Sequence, residues 1–274
     1  MINLKNKKVL ITGATGGIGG SLVKKFLSLN AEVLGTGTNQ EKLEKLETEF
    51  NKIKVKKFDI SDHSSIEKFI EEASDELDGL DILINNAGIN RDNLSLRMKD
   101  DEWQKVIDIN LTSTFLLSKY AIKKMLKRES GRIINITSIA GHIGTPYRSI
   151  YSAGKSSLDI ISETLNMETK DFNVKVVCVA PGDYLTNISQ GRFHSPVIEG
   201  STYQYKYESS LKKMNENITK GANPIKVAKL INKIIHLKNP RKKYISGSFL
   251  ERFGIILKFI LPQRFFEYLV LKLF

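Results

Sequence analysis

The sequence predicts an α/β chain built on a doubly wound, seven-stranded, mostly parallel sheet with helices on both faces. Short runs rich in Val and Ile alternate with longer segments of helical spacing from residue 8 to residue 247. A glycine cluster, Thr12–Gly20, follows the first of those runs and opens a helix. The composition, 41% hydrophobic and 26% charged over 274 residues, is that of an ordinary globular chain and excludes disorder and fibrous repeats.

Taken in order, the strands are predicted at Lys8–Thr12, Glu32–Thr36, Ile53–Ile60, Asp81–Ala87, Arg132–Ser138, Val174–Pro181 and Lys243–Gly247. Helical faces lie between them: Ile18, Leu22 and Phe26; then Ile66, Phe69 and Ile70; then Trp103, Val106, Ile107 and Leu111. Asn223-Pro224 reads as a helix start, with Asn as cap and Pro in the first turn. The interval 187–220, with Gly191, Pro196 and Gly200, breaks the alternation and is expected to be a substrate lid. A single domain over 1–247 follows, with a C-terminal extension over 248–274.

The net charge of +12 divides unevenly. Residues 221–274 hold eleven Lys/Arg against two Asp/Glu, a balance of +9, leaving +3 for the first 220 residues. A basic protein invites a nucleic-acid reading, but the body is nearly neutral and no nucleic-acid partner is expected. One cysteine, Cys178, excludes a disulfide scaffold and cysteine-rich metal sites. The four histidines, at 63, 142, 194 and 236, lack metal-ligand spacing and read as surface or lid residues, so no metal is expected. Val9–Ile11 is too short an apolar run for a secretory signal, and no segment suits a membrane span. The expected location is the cytoplasm.

Glycines between a strand and a helix permit a tight turn and close backbone approach to a pyrophosphate, which the helix N-terminus then attracts. Gly13, Gly17 and Gly19 are spaced as TGxxxGxG. Farther on come Asn85-Asn86-Ala87-Gly88, Asn110, Ser138 and Tyr151-x-x-x-Lys155, with Ser138 and Tyr151 thirteen positions apart. In this order and on these elements, the set resembles the short-chain dehydrogenase/reductase family over most of residues 1–186. The resemblance implies a Rossmann fold, a nicotinamide dinucleotide, and oxidoreductase chemistry. It places cofactor contacts at Thr12, Gly13, Thr15, Gly17, Ile18 and Gly19, at Asp59 and Ile60 beside the adenine, and at Asn86, Ala87 and Gly88. Pro181, Gly182 and Thr186 match the motif that seats the nicotinamide. The second strand leads into Thr36-Gly37-Thr38-Asn39 with no acid before Glu41. An acid there would select a ribose 2′-hydroxyl, whereas Thr38 and Asn39, with Lys42 nearby, suit a 2′-phosphate. NADP(H) is therefore the expected cofactor and NAD(H) the alternative. The position after Thr15, where many NADP(H)-preferring relatives carry arginine, holds Gly16.

The chemistry follows from the side chains. Reducing a carbonyl needs a proton at oxygen, and a tyrosine of unperturbed pKa about 10 is a poor donor near neutrality. Lys155 lies one helical turn from Tyr151, so its charge favours tyrosinate. By resemblance, Lys155 and Tyr151 also meet the nicotinamide ribose. Ser138 can donate to the developing oxyanion. Asn110 falls on an otherwise apolar stripe, where an amide needs a partner. In related enzymes the matching asparagine holds a water that links the lysine to solvent.

The stretch Gly88–Leu94, with Arg97-Met98-Lys99 and Trp103, resembles the 3-oxoacyl carrier-protein reductases of fatty-acid synthesis. Where those enzymes dock their carrier on arginines, this chain has Glu129 and Phe172. Its lid carries Phe193, Tyr203, Tyr205 and Tyr207, and 27 residues follow the last strand. Both features look like the steroid, retinol and lipid branches of the family. The extension places Phe249, Phe253, Phe259, Phe265, Phe266, Tyr268 and Phe274 among Arg252, Lys258, Arg264 and Lys272, and Pro262 divides it into two short helices. That composition suits an anionic membrane surface or a tail packed on the body or a dimer partner. The expectation is an NADP(H)-dependent oxidoreductase for an apolar carbonyl or alcohol, assembled as a homodimer or homotetramer and membrane-associated through 249–274. A carrier-protein reductase and a non-catalytic nucleotide-binding scaffold are the alternatives.

Overall fold

The computed structural model describes residues 4–185 and 193–273. Thr186, expected beside the nicotinamide, and Phe274 lie outside the described residues. Along the chain come β1 (Lys8–Ile11), α1 (Gly17–Leu27), β2 (Glu32–Gly37), α2 (Gln40–Glu49), β3 (Lys54–Lys57), α3 (Ile66–Glu76) and β4 (Ile82–Asn85). They are followed by β5 (Arg91–Asp92), α4 (Asp100–Ile107), α5 (Ser113–Leu126), β6 (Gly131–Ile136), α6 (Ser149–Glu168) and β7 (Val174–Pro181). The last elements are β8 (Phe193–His194), α7 (Gln204–Thr219), α8 (Ile225–Ile235), β9 (Lys243–Ser246), α9 (Phe249–Ile260) and α10 (Gln263–Leu273).

Seven strands form one parallel sheet in the order β3-β2-β1-β4-β6-β7-β9. Each of the predicted strands is present, and the sheet is doubly wound as the alternation implies. The two-residue period of the strands divides the core. Val9, Ile11, Ile82, Ile84, Ile134 and Ile136 meet α1 and α8 on one face, and Leu10, Leu83 and Ile133 meet α3 and α5 on the other. Chain direction across the sheet reverses between β1 and β4, so the loops beyond their carboxyl ends part and leave a crevice there.

Four features differ from the sequence expectations. Part of the interval 187–220 is the sixteen-residue helix α7, and Tyr207 within it is buried rather than displayed. Its hydroxyl donates to the carbonyls of Asp92 and Ser195, tying α7 to the small β5–β8 sheet. Trp103, expected on a buried stripe, is 45% exposed. A π-helical turn at Asp108–Thr112 follows α4; within it Ile109 is buried, and so is Asn110, in keeping with its place on the apolar stripe. His142, read as a surface residue, is largely buried, with Nε2 3.7 Å from Asp159. Burial, reinforced by Lys243, holds its pKa below the ordinary histidine range.

The extension folds as two helices about Pro262. It rests on the body through Ile255 and Phe266, both buried, and through Lys258 Nζ, which donates to the His142 carbonyl at 2.6 Å. Among the described residues no helix is long and apolar enough to cross a membrane.

Candidate active site

A single cleft of about 1580 Å³ runs along the carboxyl edge of the sheet. Ligand pockets commonly measure roughly 300–1,000 Å³, so this open cleft is larger than one small-molecule site requires.

One end of the cleft is the β1–α1 turn. Gly13 has φ +65°, and a Cβ there would come within 2.9 Å of the Ala87 backbone. At Gly19 a Cβ would collide with the Gly13 carbonyl, so α1 sits closer to the turn than any side chain permits. No side chain caps α1, and Gly16, Gly17, Ile18 and Gly19 line the cleft. An uncapped helix start opening on a cavity fits a pyrophosphate. Thr12 stands behind this wall. Its hydroxyl oxygen accepts from the amides of Asn86 (3.0 Å) and Ala87 (3.1 Å), while Asn86 Nδ2 donates to the carbonyls of Thr12 and Gly13. Thr12 and Asn86 thus lock the two loops of the crevice together. Below them Asn85 Nδ2 donates to Asn135 and Ser118, and Asn135 Nδ2 donates to Ser162. This buried polar ladder joins β4 and β6 to α5 and α6.

Beyond β2, Thr36, Gly37, Thr38, Lys42 and Lys45 line the cleft, while Asp59 and Ile60 lie across from them after β3. Asn39 is set apart from the lining. Its carboxamide oxygen accepts from the Lys42 amide and caps α2. The dinucleotide is therefore met by a polar rim with no carboxylate on residues 36–39 and two lysines one turn on.

The other wall holds the remaining candidates. Ser138 follows β6, and its Oγ accepts from the Ala140 amide at 3.1 Å. The turn Ile139–Gly141 lies against α6, where a Cβ at Gly141 would come within 3.0 Å of the Lys155 backbone. That close approach brings Ser138 to the same lining as Tyr151 and Lys155. Lys155 Nζ donates to the Ile136 carbonyl at 2.8 Å and lies 5.9 Å from the Tyr151 ring centroid. Burial lowers its pKa to about 8, partly offset by the nearby Asp159 carboxylate. Asn110 is fully buried. Its side chain exchanges two hydrogen bonds with the Ile89 backbone, accepting from N at 2.9 Å and donating to O at 2.8 Å. A Cβ at Gly88 would lie 2.9 Å from Asn110 Oδ1 and 3.6 Å from Lys155 Nζ, so these three residues share one corner. Cys178 takes no part in this wall. Burial, then Asp159, pushes its thiol up to about 12, and it remains a protonated core side chain.

Sequence reasoning missed what closes the cleft. Pro181 and Gly182 line it as expected, but so do Leu250, Glu251, Gly254 and Val270 of the extension. The pattern Ser248-x-x-Glu251 is a capping-box signature and marks the start of α9. Nothing in its spacing reveals that the helix covers the cleft.

Comparison with known proteins agrees with this geometry. The family described as short chain dehydrogenase matches residues 7–196. Nodulation protein G of Rhizobium meliloti is 40% identical over 183 residues, covering 66% of this chain and 75% of that protein. The 3-oxoacyl-acyl-carrier-protein reductase FabG of Rickettsia conorii is 42% identical over 183 residues, covering 66% and 74%. The FabG of Aquifex aeolicus is 38% identical over 216 residues, covering 71% and 87%. A solved short-chain dehydrogenase from Streptomyces avermitilis shares the fold with a TM-score of 0.82 at 22% identity, over 93% of this chain and 92% of that one.

Proposed function

The chain belongs to the short-chain dehydrogenase family, and on that premise we propose that it is an NADP(H)-dependent enzyme for an apolar, lipid-like carbonyl or secondary alcohol. It is an oxidoreductase acting on CH–OH or C=O groups with NAD(P). One observation carries the rest. Ser138, Tyr151 and Lys155 share a cleft with the uncapped α1 turn and with the apolar side chains Ile139, Ile143, Leu250 and Val270.

When bound, the nicotinamide supplies or accepts the hydride. In the reducing direction Tyr151 gives its hydroxyl proton to the carbonyl oxygen, and Ser138 donates a hydrogen bond to that oxygen as charge develops. The Lys155 ammonium stabilises the tyrosinate left behind. Asn110 fixes the Ile89 backbone beside Lys155, where the resemblance to related enzymes implies a water linking the lysine to solvent. Residues 1–247 act as the catalytic domain, with 187–220 as its lid and a homodimer or homotetramer as the assembly.

The cofactor preference rests on the rim at Thr36–Asn39. Wild type is expected to use NADPH with a higher kcat/KM than NADH, and Thr38→Asp to reverse that order by setting a carboxylate against the 2′-phosphate. Steady-state rates over a carbonyl panel, with both cofactors and with acyl thioesters as well as hydrophobic ketones, test this and the substrate class together. Equal or better use of NADH by wild type sinks the preference.

The names of the relatives favour a second reading, a 3-oxoacyl carrier-protein reductase. Against it, the positions where those enzymes carry docking arginines hold Glu129 and a 45% exposed Phe172. Turnover of a carrier-bound 3-oxoacyl group well above that of the free ketones favours this second reading.

The extension also bears on where the enzyme works. Phe249, Leu250, Phe259 and Ile260 are 70–79% exposed, beside Arg252, Lys258, Arg264 and Lys272. This composition supports docking on an anionic lipid surface, at about 1 kcal/mol per basic residue near it. Vesicles containing phosphatidylglycerol are expected to bind the protein at low salt and release it as salt rises. Replacing Phe259 and Ile260 by Ser should abolish that binding. Indifference of the intact protein to such vesicles removes membrane association from the account.

A further inference from the structure

The first helix of the extension is fastened at two points to loops that carry the proposed site. At its start, Ser248 Oγ accepts from the Glu251 amide at 3.3 Å, and Glu251 Oε2 accepts from the Ser248 amide at 2.6 Å. A capping carboxylate has a second oxygen to spare. Here Glu251 Oε1 accepts from the amide of Asp183, in the loop after β7, at 2.8 Å. Glycines make room for it. A Cβ on Gly182 would collide with the carboxylate, and a Cβ on Gly247 would come within 2.8 Å of Oε2. Near the far end of the helix Lys258 Nζ donates to the His142 carbonyl, in the segment that follows Ser138.

Between those fastenings Gly254 faces the cleft. A glycine weakens a helix interior, yet a Cβ here would meet only Ile143 Cδ1, at 3.9 Å. The position is open space on the cleft side, so the missing side chain leaves a notch rather than relieving a clash. Leu250, one turn earlier on the same helix, and Val270 of α10 line the cleft beside it.

We propose that α9 is the specificity wall of this enzyme, with Glu251 as a positioning residue that holds the Gly182–Asp183 loop and Gly254 as the notch that admits an extended hydrocarbon chain. The proposal rests on the oxidoreductase reading above and adds which part of the chain selects substrate length. It also makes the extension part of the site, so removing it is not a neutral truncation.

The test uses the full-length protein with NADPH and with a short and a long straight-chain 3-oxoacyl N-acetylcysteamine thioester. Gly254→Leu is expected to raise KM for the long thioester at least about tenfold more than KM for the short one, with kcat changing alike for both. A proportional loss on both substrates overturns the notch. Glu251→Ala should weaken NADPH binding, followed by fluorescence, by about tenfold, and Glu251→Gln should recover part of that, since its single amide oxygen can accept from Asp183 N while the Ser248 N–H loses its acceptor. NADPH affinity of Glu251→Ala equal to wild type overturns the positioning role. Should wild type turn over neither thioester, Gly254 as a notch for acyl chains is overturned, while the hydrophobic ketones still decide the substrate class and the NADPH titrations whether Glu251 holds the loop.

Discussion

Replacing Tyr151 by Phe is expected to lower kcat by roughly 10²–10⁴-fold while NADPH affinity stays within a few-fold, the loss typical of removing one general acid. The substitution deletes one hydroxyl and keeps the ring. The ring lies in the first turn of α6, and Lys155 Nζ keeps its bond to the Ile136 carbonyl in either variant. Binding contacts along the β1–α1 turn are untouched, so the effect should fall on the chemical step and not on the melting temperature. Single-turnover reduction under saturating NADPH is the appropriate assay. A variant that keeps most of its kcat removes Tyr151 from the mechanism.

A second large effect is expected at Gly19. An added methyl would run into the Gly13 carbonyl and lie 2.9 Å from Ala14 Cα. Both obstacles are backbone, so the turn or α1 must move by a good part of an ångström. Misplacement of that size costs on the order of 10²-fold, and Gly19→Ala should weaken NADPH binding accordingly. Gly20 supplies the control. A Cβ there meets only the Ala14 carbonyl, at 3.8 Å, so Gly20→Ala should bind NADPH as wild type does and melt slightly higher through better helix propensity. If the two alanine variants bind alike, close approach of α1 is not what shapes the cofactor turn.

The legibility of this chain follows the range of the interactions involved. The central strands of the sheet were readable because they are buried on both faces and written as short apolar runs, such as Val9–Ile11 or Ile82–Ile84, whereas the edge strand Lys54–Lys57 is largely exposed. The glycine turn was readable from its place between a strand and a helix, whereas Ser138, Tyr151 and Lys155 were readable through the family resemblance that their order and spacing carry. The β5–β8 pair escaped notice because two residues carry no period, and its partners are about a hundred positions apart. The π-helical turn at Asp108–Thr112 left no mark, since one inserted residue merely rotates an apolar stripe. The extension was legible as two helices around Pro262, but not as a wall of the cleft. Its placement depends on Glu251 reaching the loop after β7, a contact 68 residues away in sequence.

In the proposed mechanism one cleft brings hydride transfer and proton transfer to the same carbonyl. Incubating the wild-type protein with a hydrophobic ketone and NADPH deuterated at the reactive nicotinamide carbon, then weighing the product, tests it most directly. Wild type is expected to give a secondary alcohol carrying one deuterium at the carbinol carbon, and Tyr151→Phe to form it at least about 10²-fold more slowly. An unlabelled alcohol, or its formation by Tyr151→Phe at the wild-type rate, contradicts this mechanism.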